Sequence, residues 1–113
     1  MRIITWNCRG LGNGPAVRGL LDLQEREAPD VLFIAETKHN GKWMDWLRWR
    51  LKMPNMVTVD SIGTSGGLAL FWKREIDLSV KSMSKYHIDV VVKEQEGLEW
   101  RFTGIYGESR SEE

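Results

Sequence analysis

Residues 2–35 run RIITWNCRGLGNGPAVRGLLDLQEREAPDVLFIA. Arg2 to Asn7 is rich in β-branched residues and predicts a strand. Cys8 to Gly14 holds three glycines and predicts a flexible turn. Pro15 suits the first position of a helix, where no backbone N–H is needed. Val17, Leu20, Leu21 and Ala28 then recur at helical spacing, with Arg18, Asp22, Glu25 and Arg26 opposite. Ala28-Pro29-Asp30 ends that helix, because proline restricts the residue before it. Val31 to Ala35 is a continuous apolar run, the pattern of a strand buried on both faces. Strand, helix and buried strand in this order make a βαβ unit, which sets the two strands parallel.

Downstream, Lys42 to Leu51 predicts a second helix, with Trp43, Trp46, Leu47 and Leu51 on one face and Asp45, Arg48 and Lys52 opposite. After Pro54 the period changes. Met56 to Asp60 predicts a short strand, Ile62 to Gly67 a glycine-rich turn, and Leu68 to Trp72 another buried strand. Leu78 to Met83, His87 to Lys93 and Leu98 to Ile105 alternate or are β-branched, and Glu94 to Gly97 predicts the turn of a hairpin. The expected fold class is therefore α/β with a mixed sheet, an α/β unit followed by a meander. No final helix covers the meander, a pattern expected of half a domain.

The whole chain has 113 residues, 42% hydrophobic and 28% charged, the range of one domain. The longest apolar runs are about five residues, far short of the ~20 that span a bilayer, so no membrane role is expected. Met1 leads straight into a strand-like segment, with no signal peptide in view. A single cysteine, Cys8, excludes an internal disulfide and fits a reducing, intracellular compartment. Sixteen basic residues balance sixteen acidic ones, which disfavours a strongly basic nucleic-acid binder but not an enzyme with a local nucleic-acid site.

Asn7 ends the first strand and Glu36 follows the second. On parallel strands both fall at one carboxyl edge, where open α/β sheets place their ligands. A carboxylate following five apolar residues calls for a partner. A Mg²⁺ ion is one, since it takes only one or two protein carboxylates; solvent or Lys38 is the other. Tyr106 shares parity with Trp100, Phe102 and Gly104, and as a strand-end tyrosine it caps a core with its hydroxyl wet. The loop Gly10 to Gly14 fails the dinucleotide-binding spacing, because Pro15 stands where the third glycine belongs. Trp43, Trp46 and Trp49, interleaved with Lys42, Arg48, Arg50 and Lys52, fit either an amphipathic helix with tryptophans in the core or a stacking and phosphate-binding surface. Trp43 and Trp46 read as core; Trp49, at the flank of the apolar arc, stays open. His39, His87 and Cys8 lack zinc-ligand spacing, and the histidines read as surface residues.

Four segments carry a resemblance: Ile4-Thr5-Trp6-Asn7-Cys8-Arg9-Gly10-Leu11, Pro29-Asp30-Val31-Leu32-Phe33-Ile34-Ala35-Glu36-Thr37-Lys38, Ser65-Gly66-Gly67-Leu68-Ala69-Leu70-Phe71-Trp72 and Thr103-Gly104-Ile105-Tyr106-Gly107. In this order they resemble the endonuclease/exonuclease/phosphatase superfamily. The Trp-Asn-Cys-Arg-Gly-Leu form looks most like the endonuclease domain of plant LINE-type retrotransposon polyproteins. The resemblance implies a four-layer sandwich of two packed sheets between helices, and a Mg²⁺-dependent phosphodiester hydrolase acting on DNA in the nucleus. It implies a metal ligand in Glu36 and catalytic roles for Asn7 and Tyr106; Arg9, Lys38 and Trp49 are the candidate nucleic-acid contacts.

The departures are as informative. Arg9 stands where some members carry an aspartate. The family's Gly-Asp-Phe-Asn segment and closing Ser-Asp-His are absent from the 113 residues. The expectation is thus a partial domain over residues 1–107, the N-terminal half of the sandwich, with a frayed tail at 108–113. Such a chain is expected to be inactive and to self-associate through uncovered sheet surface. Tyr106, facing a cleft whose other half is missing, is expected to be solvent-exposed, with Trp100 and Phe102 unusually accessible. The alternative is a remnant, or a small nucleic-acid-binding module using the Trp43–Lys52 helix.

Overall fold

The computed structural model describes residues 1–63 and 65–106; the expected tail at 108–113 lies outside them. The βαβ unit forms as its sequence dictates. β1 (Ile3–Asn7) runs parallel to β2 (Val31–Ala35), joined by α1 (Gly14–Glu27). Asn13 caps α1, its side chain accepting the Ala16 N–H at 2.8 Å, and Ala28 ends it in the left-handed region. Asn40 caps α2 (Gly41–Leu51) in the same way, accepting the Trp43 N–H at 3.0 Å. β3 (Asn55–Val59) and β4 (Leu68–Trp72) complete a mixed sheet of order β1-β2-β4-β3.

The meander does not extend that sheet. β5 (Asp77–Ser84), β6 (His87–Lys93) and β7 (Glu99–Ile105) make a separate antiparallel sheet. The apolar run of β2 explains the stacking. Leu32 and Ile34 point to one face, where they meet Leu20, Met44, Leu47, Leu51 and Phe71 under the helices. Val31, Phe33 and Ala35 point to the other, where they meet Ile88, Val90 and Val92 of the second sheet. All five β2 residues are buried. The described residues therefore form three layers: helices, mixed sheet, antiparallel sheet. Trp100 and Phe102 are only partly buried.

On the outer face of the small sheet lies a polar cluster that the sequence reading did not single out. Asp89 is buried; it accepts two hydrogen bonds from Arg101 Nε, at 3.0 and 3.2 Å, one from Arg101 Nη2, and one from Thr103 at 3.0 Å. The Arg101 hydrogen bonds hold its carboxyl at about 2, against an ordinary 3.8. A lowered carboxyl pKa stabilises the fold above the ordinary value, and that contribution fades as pH falls through the folded value. The chain should thus lose stability between about pH 4 and pH 2, and Asp89→Asn should flatten that part of the profile. Urea midpoints across this window check it; equal slopes for the two proteins would rule the cluster out as an acid-sensitive support.

Candidate active site

The ladder between β1 and β2 continues past both strands. Cys8 N–H donates to Ala35 O at 3.1 Å, Gly10 N–H to Glu36 O at 2.7 Å, and Leu11 N–H to Thr37 O at 3.1 Å. The glycine-rich loop is therefore held to this edge at Cys8, Gly10 and Leu11, and Leu11 within it is buried. From the other side, Thr37 N–H donates to Gly67 O at 3.1 Å and Lys38 N–H to Gly66 O at 2.9 Å. The segment Glu36-Thr37-Lys38 is thus clamped between two loops. It is also strained: Arg9, Glu36 and Lys38 all sit at positive φ, between 52° and 60°. Non-glycine residues rarely adopt this region, and such strain clusters at functional sites.

Asn7 and Glu36 lie at the same carboxyl edge, since Asn7 pairs with Ala35, the residue before Glu36. The Asn7 side-chain oxygen accepts the Arg9 N–H at 3.2 Å. Tyr106 donates its O–H to Glu36 Oε1 at 3.1 Å, linking the two sheets across 70 positions of chain. Its own N–H donates to Tyr86 O at 2.8 Å. Asn7 and Tyr106 line one cleft of about 130 Å³ with Thr5, Ala35 and Ile105.

Tyr106 corrects an expectation. It is buried, 9% exposed, beneath residues of this same chain. It lies at the Ala35 end of the core cluster that Phe33 and Ala35 help to form, because the second sheet stacks directly on β2. Glu36, for its part, is bonded to Tyr106 and forms no ion pair with Lys38 among the described residues.

Arg9 and Lys38 are exposed at this edge. Trp49 is not there. It stands 76% exposed near the C-terminal end of α2, beside Lys73 and Arg74. Trp43 packs against the core as expected, but Trp46 is 45% exposed, which corrects its reading as core. The helix turns Trp46 past the apolar seam to lie under Arg50, whose guanidinium sits 5.3 Å from its ring. His39, read as a surface residue, is half-buried and stacks on Trp43 at 3.7 Å.

Two supports of the site were not singled out from the sequence. Thr37 is fully buried, and its Oγ1 accepts the His39 N–H at 3.3 Å. The Cys8 thiol donates to the Ala35 and Glu36 carbonyls, each at 3.3 Å. Burial pushes that thiol up to about 11, so it stays protonated and is no nucleophile.

The pattern of the Endonuclease/Exonuclease/phosphatase family matches residues 4–108. The chain belongs to this family. No curated protein matches it. Solved structures share the fold. The AP endonuclease LMAP from Leishmania major is 18% identical, with a TM-score of 0.61, over 93% of this chain and 39% of its own. TDP2 from D. rerio, complexed with single strand DNA product, is 18% identical, with a TM-score of 0.66, over 98% and 47%. The 3′ phosphatase NExo from Neisseria, bound to a product DNA hairpin, is 18% identical, with a TM-score of 0.61, over 94% and 41%. The family member described here thus spans less than half the length of these three proteins.

Among the described residues, no three His, Cys, Asp or Glu side chains converge as a metal cage. A Mg²⁺ ion needs none, because it takes one or two carboxylates and fills its shell with water and substrate phosphate. Glu36, half-buried at the strained edge, fits as one such carboxylate.

Proposed function

We propose that this chain is the N-terminal part of a divalent-metal-dependent phosphodiester hydrolase that acts on DNA, of the LINE retrotransposon type, with a nuclear site of action. The observation that carries the reading is the hydrogen bond from Tyr106 to Glu36 Oε1, made beside Asn7 at one strained carboxyl edge. The DNA-bound neighbours support the substrate class by resemblance.

In this reading Glu36 would hold Mg²⁺, and the ion would supply positive charge to the phosphate oxygens. Tyr106 is a positioning residue: its hydroxyl fixes the rotamer of the Glu36 carboxylate. Asn7 holds the turn at Arg9 through its side-chain oxygen and lines the cleft beside Tyr106. Arg9 and Lys38, exposed at the same edge, take the flanking phosphates.

We further propose that these 113 residues alone are inactive. A positioned general base contributes ~10²–10⁴-fold, and the segments that supply the water-activating aspartate and the histidine in the family are not in this sequence. The purified chain should show no Mg²⁺-dependent nicking of supercoiled plasmid above a buffer control. Nicking that Glu36→Ala abolishes would show that the chain carries a complete catalytic set.

A further inference from the structure

A cleft of about 770 Å³ opens at the C-terminal end of α2, against the turn that follows β4. It lies at the far end of the mixed sheet from Glu36. Lys73 follows Trp72, which pairs with Val31, the first residue of β2, whereas Glu36 follows the last. Five residues of strand separate these ends, roughly 16 Å.

The cleft is lined by Arg48, Arg50, Lys52, Lys73 and Arg74 around the exposed indole of Trp49. The chain as a whole has zero net charge, so this concentration is local. Glu75 is the one carboxylate in the lining. The helix dipole accounts for cations on the last turn of α2, but not for Lys73 and Arg74, which arrive from another element. Arg48 is fixed by Asp45 at 2.9 Å and by Pro54 O at 2.9 Å, and Lys73 stands 3.5 Å from Asp30. Lys52 and Arg74 are exposed and form no ion pair among the described residues.

We propose that this cleft is a second binding site, for single-stranded nucleic acid, separate from the hydrolytic edge. Charge selects a polyanion. The indole selects one with free aromatic faces, since base stacking on an exposed ring requires an unpaired base. Trp49 takes a base, and Arg50, Lys52 and Arg74 take the phosphates on either side. The site does not rest on the hydrolase reading, because no metal and no Glu36 chemistry enters it.

Fluorescence anisotropy with labelled oligothymidylate and oligouridylate, in EDTA, tests it; the pair tells DNA from RNA, and tight binding of either supports the site. Trp49→Ala should weaken binding about tenfold, while Trp49→Phe, which keeps a stacking face, should hold most of the affinity. Arg74→Ala should make the log–log salt dependence shallower by about 0.7. Circular dichroism melts matching the parent confirm that the variants fold. Equal binding by Trp49→Ala and the parent overturns the proposal. So does an unchanged salt slope in Arg74→Ala, or tighter binding to anionic phospholipid vesicles than to either oligonucleotide.

Discussion

Gly67→Ala is expected to lower stability by about 2–5 kcal/mol and to dislodge the segment that carries Glu36. Gly67 sits at φ +95°, where a side chain is strained. A Cβ there would lie 2.3 Å from Thr37 Oγ1 and 3.1 Å from the Lys38 backbone nitrogen. Thr37 is fully buried and its hydroxyl holds His39 N–H, so it has no room to swing aside. Strain of about 1–2 kcal/mol then adds to an overpacking term of about 1–3 kcal/mol. Gly66 provides the control. It has φ +77° but nothing within 4 Å of its Cβ position, so Gly66→Ala should show only the strain. Urea denaturation of both variants separates the two terms. Equal costs would mean that the Thr37 contact is soft and that the clamp on Glu36 is weaker than described.

Periodicity and local chemistry revealed the first half of this fold. The β-branched run Arg2 to Asn7, the helix to Ala28 and the apolar Val31 to Ala35 each obey one period, and a βαβ unit leaves its strands no choice but to be parallel. That alone places Asn7 and Glu36 at one edge. The second sheet was less legible. β5 to β7 alternate as strands do, but period 2 does not say which sheet a strand joins. The decision lies in the two-faced burial of β2 and β4, which needs a second layer over Val31 and Phe33. The burial of Tyr106 has the same cause. Parity assigned it to the inner face correctly, but its exposure depended on what β2 presents opposite. The positive φ of Glu36 and Lys38 had no signature in the sequence, since neither residue favours that region. Trp46 and Trp49 differ by three positions, nearly one helical turn, and no spacing rule told how far the apolar arc reached.

Gly104→Ala is expected to cost about 1–3 kcal/mol, from a clash alone. Gly104 has no positive φ, so backbone strain plays no part. It sits on β7 opposite Ile88, directly over the Phe33 ring of the other sheet. A Cβ at this position would lie 2.5 Å from Phe33 Cδ1 and Cε1, and 2.8 Å from Cγ. The ring has little freedom: it is 2% exposed and edge-packed on Phe102, with centroids 6.2 Å apart. β7 must therefore lift, and Tyr106, two residues on, should lift with it away from Glu36. The cause can be isolated with Phe33→Leu, which removes the ring that fills the glycine's place. If the clash is the mechanism, the double variant should be more stable than the sum of the single costs predicts, with a coupling of about 0.5–3 kcal/mol. Urea denaturation of the four proteins closes this cycle, and the Tyr106 phenol resonances report whether its bond to Glu36 lengthens with the single variant and recovers in the double. Additive costs would sever Gly104 from Phe33 and leave the seating of Tyr106 to the hydrogen bond between its N–H and Tyr86.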